Sequence, residues 1–291
     1  MAFKSLAVQF RDVMVESIER RLAILEDSLA VWHQASRLDQ VRASSRYDDP
    51  RCLVRHGYRN FSQFEEDGMI DEALHRVGTS SRFFVEFGCG PGLENNTLAL
   101  LLQGWKGLWI EADPIHCAGV REEFREPIAS GQLVLLEEMV TAENVEELFA
   151  RGGVPPEPDV LSIDIDGNDY WVWKAIGRHR PRLTVIEYNA SLGRSARVVR
   201  PYHPLERWDG STCTGASLGA LEDLGREKGY ALVGCCTAGV NAIFVRSDLV
   251  EDRFLAPFTA HTHYEPPRYG RYGGGHKPRW GRFAPPATPP P

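Results

Sequence analysis

The chain has 291 residues, 43% of them hydrophobic and 25% charged, which fits a folded globular core. A formal net charge of −7 argues against a general nucleic-acid binder, which carries a basic excess. No apolar run approaches the roughly 18 residues of a membrane span, and charges break up the N-terminus too often for a secretory signal. The six cysteines form no CxxC pair and no zinc-ligand spacing, so free thiols in a reducing cytoplasm are expected.

Residues 3 to about 40 read as one amphipathic helix. Phe10, Met14, Ile18, Leu22, Leu25, Leu29 and Trp32 recur at steps of three and four. Residues 1–47 are assigned to it, and its apolar stripe predicts a homodimer or higher oligomer. The polar stretch 44–60 reads as a linker. "SQFEEDGMIDEALHRVG" reads as a helix from about Gln63, with Ser62 as N-cap and Glu65 as its capping-box partner. Residues 48–81 are thus a linker and a lid-like helical segment.

From Arg82 the pattern becomes strand, turn, helix, repeated. "RFFVEFGC", "KGLWIEAD", "LVLLEEMV", "DVLSIDID" and "LTVIEYN" are the first five strands. Helices separate them, one with Thr141 as its expected N-cap, and such alternation implies a parallel sheet with helices on both faces. "YALVGCC" and "NAIFVRSDL" are separated only by "TAGV". That is too short for a parallel crossover, so they pair as an antiparallel hairpin. The expected fold is α/β, a Rossmann-like sheet of seven strands, mostly parallel, with a C-terminal hairpin and an N-terminal helical extension. Residues 82–256 form this domain. Residues 257–291 are a Gly/Pro/aromatic tail, of which the last ~10 residues are expected to be disordered. Tyr264 to Tyr269 carry aromatics suited to docking on the domain.

"VEFGCGPGLENNT" follows the first strand, where open α/β sheets bind ligands. Its glycines, Gly88, Gly90 and Gly92, are spaced G-x-G-x-G, not the G-x-G-x-x-G of a pyrophosphate loop. Glu86 before them would repel a pyrophosphate and suits a cationic ammonium. Glu111 ends the second strand, placed to accept ribose hydroxyls, with Ala112 beside it. The terminal hairpin is absent from fully parallel dinucleotide folds. Together these favour S-adenosyl-L-methionine as the cofactor, with Asn95 and Asn96 of the following polar cluster, and Asp164, added to the contact set.

"SQFEEDGMI", "FVEFGCGPGLENNT", "LWIEAD", "LSIDIDGNDYWVW" and "VIEYNA" carry a family resemblance. The sequence resembles class I S-adenosylmethionine-dependent methyltransferases and is most similar to the FkbM-type family and its bacterial relatives. The resemblance spans about residues 61 to 250. It implies cofactor contacts from Gly88, Gly90, Glu111 and the residues after the third strand. It also places the "SQFEED" segment, with Gln63, beside the cofactor. Many FkbM-type proteins carry Lys-Ile-Asp-Val-Glu-Gly on the fourth strand. This chain has Ser162-Ile163-Asp164-Ile165-Asp166-Gly167, with a shorter Asp in place of Glu.

Asp164 and Asp166, two apart, share a face of the fourth strand. Glu187 and Asn189 stand in the same relation on the fifth. Buried parallel strands should be apolar throughout, and these end in acids. Asp164 and Glu187 are candidate general bases. Alternatively Asp164, Asp166, Glu187 and Asn189 offer hard oxygen ligands for Mg²⁺. Asn168 and Asp169 read as helix caps. In the loop after the fifth strand His203 is a further candidate base, and Tyr202, Trp208 and Asp209 are candidate acceptor contacts. Trp171 and Trp173 read as packing residues. The function expected is O-methylation of a polar small molecule, a sugar or natural-product intermediate. The alternative is a methyltransferase-like module that binds cofactor or scaffolds without turnover.

Overall fold

A computed structural model describes residues 35–205, 207–269, 275–279 and 281–286, with positions 15, 18, 20–22, 25, 29, 32 and 33 ahead of them. The chain divides into two units, Met1–Ala43 and Ser44–Pro291. In the first, the described positions up to Arg42 are helical. Val15, Ile18, Leu22, Leu25, Leu29 and Trp32 are 45–64% exposed. Phe10 and Met14 of the predicted stripe lie outside the described residues.

The second unit is built on a seven-stranded sheet. Its strands are β1 Phe83–Phe87, β2 Lys106–Glu111, β3 Leu133–Glu137, β4 Val160–Ile163, β5 Leu183–Glu187, β6 Tyr230–Cys235 and β7 Asn241–Arg246. They lie in the order β3-β2-β1-β4-β5-β7-β6. The first five run parallel, and β7 enters antiparallel between β5 and β6. This is the mostly parallel, Rossmann-like seven-stranded sheet with the antiparallel terminal hairpin that the sequence implied. Helices α1 Glu66–Val77, α2 Leu98–Leu102, α3 Pro114–Glu123, α4 Arg125–Ala129, α5 Val145–Arg151, α6 Asp169–Ala175, α7 Leu218–Glu227 and α8 Ala260–His263 surround it.

Local chemistry explains several helix starts. Asp113 caps α3 by accepting from Ile115 N, and Pro114 fills the first position. Ser217 caps α7 through Ala220 N, and Leu218, Leu221 and Leu224 bury one face of it. Trp109, Trp173, Phe84, Phe87, Phe149 and Phe244 are fully buried, and Trp173 packs on Phe244 at 4.9 Å.

Four sequence expectations are corrected. Residues 44–60 are not a linker, because Tyr47, Cys52, Leu53 and Val54 are buried in the second unit. Helix α1 begins at Glu66, not Gln63. The Asp67 carboxylate gathers the N–H groups of Asn60, Phe61 and Ser62 at 2.7–2.8 Å and the Ser62 hydroxyl at 2.8 Å. The backbone curls around that carboxylate instead of entering a helix. Glu65 forms no capping box, because its carboxylate accepts from the Thr237 N–H and hydroxyl. Helix α5 starts after Asn144, and Thr141 and Asn144 exchange reciprocal bonds ahead of it.

The tail extends the domain beyond residue 256. The Tyr188 hydroxyl donates to Glu265 O at 2.6 Å, and Arg268 N to Ala238 O at 2.8 Å. Val199 and Ala284 exchange backbone bonds at 2.8 and 3.0 Å, inside the stretch expected to be disordered. Positions 287–291 lie outside the described residues.

Candidate functional site

The carboxyl ends of the parallel strands open into a cavity of about 700 Å³. It lies where strand order reverses between β1 and β4, the expected ligand position in such sheets. On the β2 and β3 side it is lined by Gly88, Gly90, Glu111, Ala112, Asp113 and His116, with Glu138, Met139 and Val140 after β3. On the β4 and β5 side the lining is Asp164, Asp166, Asn168, Glu187, Arg207 and Trp208, with Tyr269 and His276 from the tail. Gln63 and Phe64 also reach it.

Close approach dictates the glycines. A Cβ on Gly88 would lie 1.9 Å from the Asp164 carbonyl oxygen, so β1 turns directly over the end of β4. Gly88 and Gly90 hold φ of +69° and +56°, the left-handed region that glycine tolerates. A Cβ on Gly90 would meet nothing within 4 Å, which leaves this wall open to a ligand. Glu111 organises the same loop. Its carboxylate accepts from Gly90 N and Asp113 N, each at 2.8 Å. Each oxygen keeps a second acceptor site at the cavity edge. A carboxylate fixed at the end of β2 beside an open glycine turn fits a nucleoside ribose.

Glu86 does not line the cavity, which corrects its assignment to the cofactor. Its carboxylate is buried, accepting from Asn96 N at 2.8 Å, Thr97 N at 3.1 Å and the Thr97 hydroxyl. Burial pushes its pKa up to about 7, against these donors. Asn95 and Asn96 are likewise spent inside. Asn95 Oδ1 accepts from Leu98 N at 2.8 Å at the start of α2, and Asn96 Nδ2 donates to Ser162 Oγ at 3.0 Å. The acid before the glycines and the polar run after them brace one another.

The acids of "SQFEED" are also structural. Besides Asp67, Glu66 accepts from Phe64 N and Asn241 Nδ2, both at 2.9 Å. These bonds hold Gln63 and Phe64 at the cavity.

A different situation holds past β4. The strand ends at Ile163, so Asp164 and Asp166 sit in the following turn, where Asp166 has φ +58°. The Asp169 carboxylate shapes that turn by accepting from Ile165 N and Gly167 N at 2.9 Å, with its pKa pushed up to about 6 by burial. Asp164, Asp166 and Glu187 then converge, with carboxylate oxygens within 4.8 Å of one another. Among the described residues no hydrogen bond reaches any of these three carboxylates. Burial, and then the charge of the other acids, raises Asp164 and Glu187 well above the usual carboxylate range.

Other predicted residues fall elsewhere. Asn189 is not in the acid set, since its amide bonds Ser191 N, Thr212 O and Thr214 O. His203 is exposed, bonds Asn168 through its backbone and does not line the cavity. Tyr202 bonds Glu143, and Asp209 bonds Ser211; neither lines the cavity. Trp208 does. Besides His116, the cavity is lined by His276, from a "GGGHKP" run whose composition looks like linker. Nothing local in the sequence singles it out.

No protein-family model matches the chain, and no curated protein matches its sequence. Solved structures do. A precorrin-6y C5,15-methyltransferase from Geobacter metallireducens is 14% identical, over 65% of this chain and 90% of that one, at a TM-score of 0.39. An S-adenosylmethionine-dependent methyltransferase from Clostridium acetobutylicum is 10% identical over 60% and 88%, at 0.39. An O-methyltransferase family protein from Burkholderia thailandensis is 15% identical over 62% and 57%, at 0.37.

Proposed function

We propose that this chain is an S-adenosylmethionine-dependent methyltransferase of FkbM type that methylates a hydroxyl of a polar small molecule. The observation carrying this reading is that one cavity joins two unlike halves. The glycine turn and Glu111 suit the cofactor, and three carboxylates that accept no hydrogen bond from the described residues face them. The bound cofactor supplies an activated methyl group. The chain's tasks are to hold the acceptor oxygen in line with that methyl and to help its proton leave. Glu111 holds the ribose, and Gly90 admits it closely. Asp164 and Glu187, with raised pKa values, are suited to take a hydroxyl proton. A second reading is favoured by the three-way convergence: Asp164, Asp166 and Glu187 would hold Mg²⁺, which lowers the acceptor's pKa.

Calorimetry with S-adenosylmethionine and NAD tests the cofactor. We expect binding of the first only, weakened in Glu111→Ala by about 1.5–3 kcal/mol as charge-assisted bonds are lost. NAD binding in its place would overturn the reading. Turnover that survives EDTA would leave the carboxylates as direct bases. The exposed N-terminal stripe is read as a self-association surface, which light scattering on the full chain checks.

A further inference from the structure

The acceptor half of the cavity has two faces of opposite chemistry. One is the acid floor of Asp164, Asp166 and Glu187. The other is a run of rings drawn from three parts of the chain. Phe64 lies 6.5 Å from Tyr269, Tyr269 4.9 Å from His276, and His276 4.4 Å from Trp208, centroid to centroid. All four line the cavity.

This wall is fastened in place. The Trp208 indole donates to Ser211 O at 2.8 Å, and Thr212 N donates to Lys277 O at 3.1 Å. Arg279 N donates to Thr212 Oγ1 at 3.1 Å and its guanidinium pairs with Asp209. Gly275 N donates to Tyr269 O at 2.8 Å.

The two faces constrain an occupant jointly. Ionised carboxylates only accept hydrogen bonds, so the floor calls for a donor-rich edge. Rings present an apolar, electron-rich face, so the wall calls for a flat C–H face or a cation. Charge adds a third condition. Glu111, Asp113, Glu138, Asp164, Asp166 and Glu187 line the cavity, whereas among its described lining residues Arg207 is the single Arg or Lys. An anionic acceptor meets repulsion there. A cationic one relieves the mutual repulsion of the floor.

We propose that the acceptor is an amino-bearing saturated sugar ring, its C–H face laid on Trp208 at one end of the ring-lined wall, with its hydroxyl and ammonium groups turned to Asp164, Asp166 and Glu187. This names the substrate class within the methyl-transfer reading and rests on it. The transfer balances within that pair. The acceptor O–H bond breaks and its proton passes to a floor carboxylate. The new C–O bond forms as the C–S bond breaks, and that pair stays on sulfur as a neutral thioether.

Saturation-transfer NMR on the full chain tests it, in EDTA and with S-adenosylhomocysteine present. The probes are methyl glucosaminide, methyl glucoside and methyl glucuronide. We expect the amino sugar to bind at least ~10-fold more tightly than the glucuronide, with saturation concentrated on the C–H protons of one ring face. Trp208→Ala should abolish that pattern and leave S-adenosylmethionine affinity within ~2-fold. Asp166→Asn should erase the preference for the amine without removing ring contact. Equal binding of the glucuronide, no saturation of any probe, or an unchanged pattern in Trp208→Ala would overturn the proposal. Failure of the chain to bind S-adenosylmethionine by calorimetry would instead overturn the methyl-transfer reading.

Discussion

Acids gather in two regions of this domain, buried in one and half-buried or exposed in the other, and they behave in opposite ways. Around β1, the carboxylates of Glu86, Glu66 and Asp67 each accept at least two hydrogen bonds. Past β4 and β5, those of Asp164, Asp166 and Glu187 accept none from the described residues, yet are brought within 4.8 Å of one another. Burial of a charge is costly unless partners compensate it. The first set is compensated and shapes loops. The second is left for something that enters the cavity. Hydrogen-bond satisfaction therefore separates structural from available acids where residue type does not.

Removing acids from each region should break different properties. The largest effect is expected for Glu86→Ala. It strands the N–H groups of Asn96 and Thr97 and the Thr97 hydroxyl, and should cost about 3–5 kcal/mol of stability in denaturant unfolding. A loss below ~1 kcal/mol would show that the brace is dispensable. Glu187→Gln should leave stability and cofactor affinity nearly unchanged while lowering turnover by ~10²-fold. If the variant turns over normally, the second set is structural after all.

The third test uses pH. Glu86 has a folded pKa of about 7, above its unfolded value near ~4.3. A raised carboxylate adds stability that is complete below the unfolded pKa and is lost as pH rises through the folded one. Relative to Glu86→Gln, the native chain should therefore lose stability between about pH 4.5 and 7.5. His263 is lowered to about 4 by burial and acts in the opposite direction, but it is common to both proteins. Unfolding curves at four pH values measure the difference. A constant gap across that range would mean that Glu86 does not titrate there.

The smallest effect concerns Mg²⁺. If the available acids bind it, a tenfold excess over its Kd should stabilise the chain by about 1.4 kcal/mol. Glu187→Gln should abolish that gain, and Glu86→Gln should not. An unchanged midpoint in native protein would remove the metal reading and keep the direct one.

The two regions were not equally legible in the sequence. The parallel sheet and the hairpin follow from alternation and from the short "TAGV" connection, both local signals. Gly88, Gly90, Glu111 and the acids after β4 and β5 were marked by residue type at a predictable edge. Glu86 misled, because the same position suits a ligand contact and a loop brace, and only its bonds to Asn96 and Thr97 distinguish them. Asn189 was misplaced for the same reason. Tyr269 and His276 reach the cavity through pairings with residues 188–212 and Ala238, far away in sequence, which composition does not encode. The stretch 44–60 looked like a linker because its few apolar residues are outnumbered by charges, yet Tyr47, Cys52, Leu53 and Val54 are buried.

The tail also sets a timetable. Strand β7 ends at Arg246, while His276 lies ~30 residues further along, roughly 1.5–6 s of synthesis at 5–20 residues per second. The cofactor side can form as soon as the sheet closes, whereas the ring-lined side waits for chain still being made. A nascent domain released early, or clipped between Tyr269 and His276, would keep its glycine turn and lose part of its grip on the acceptor.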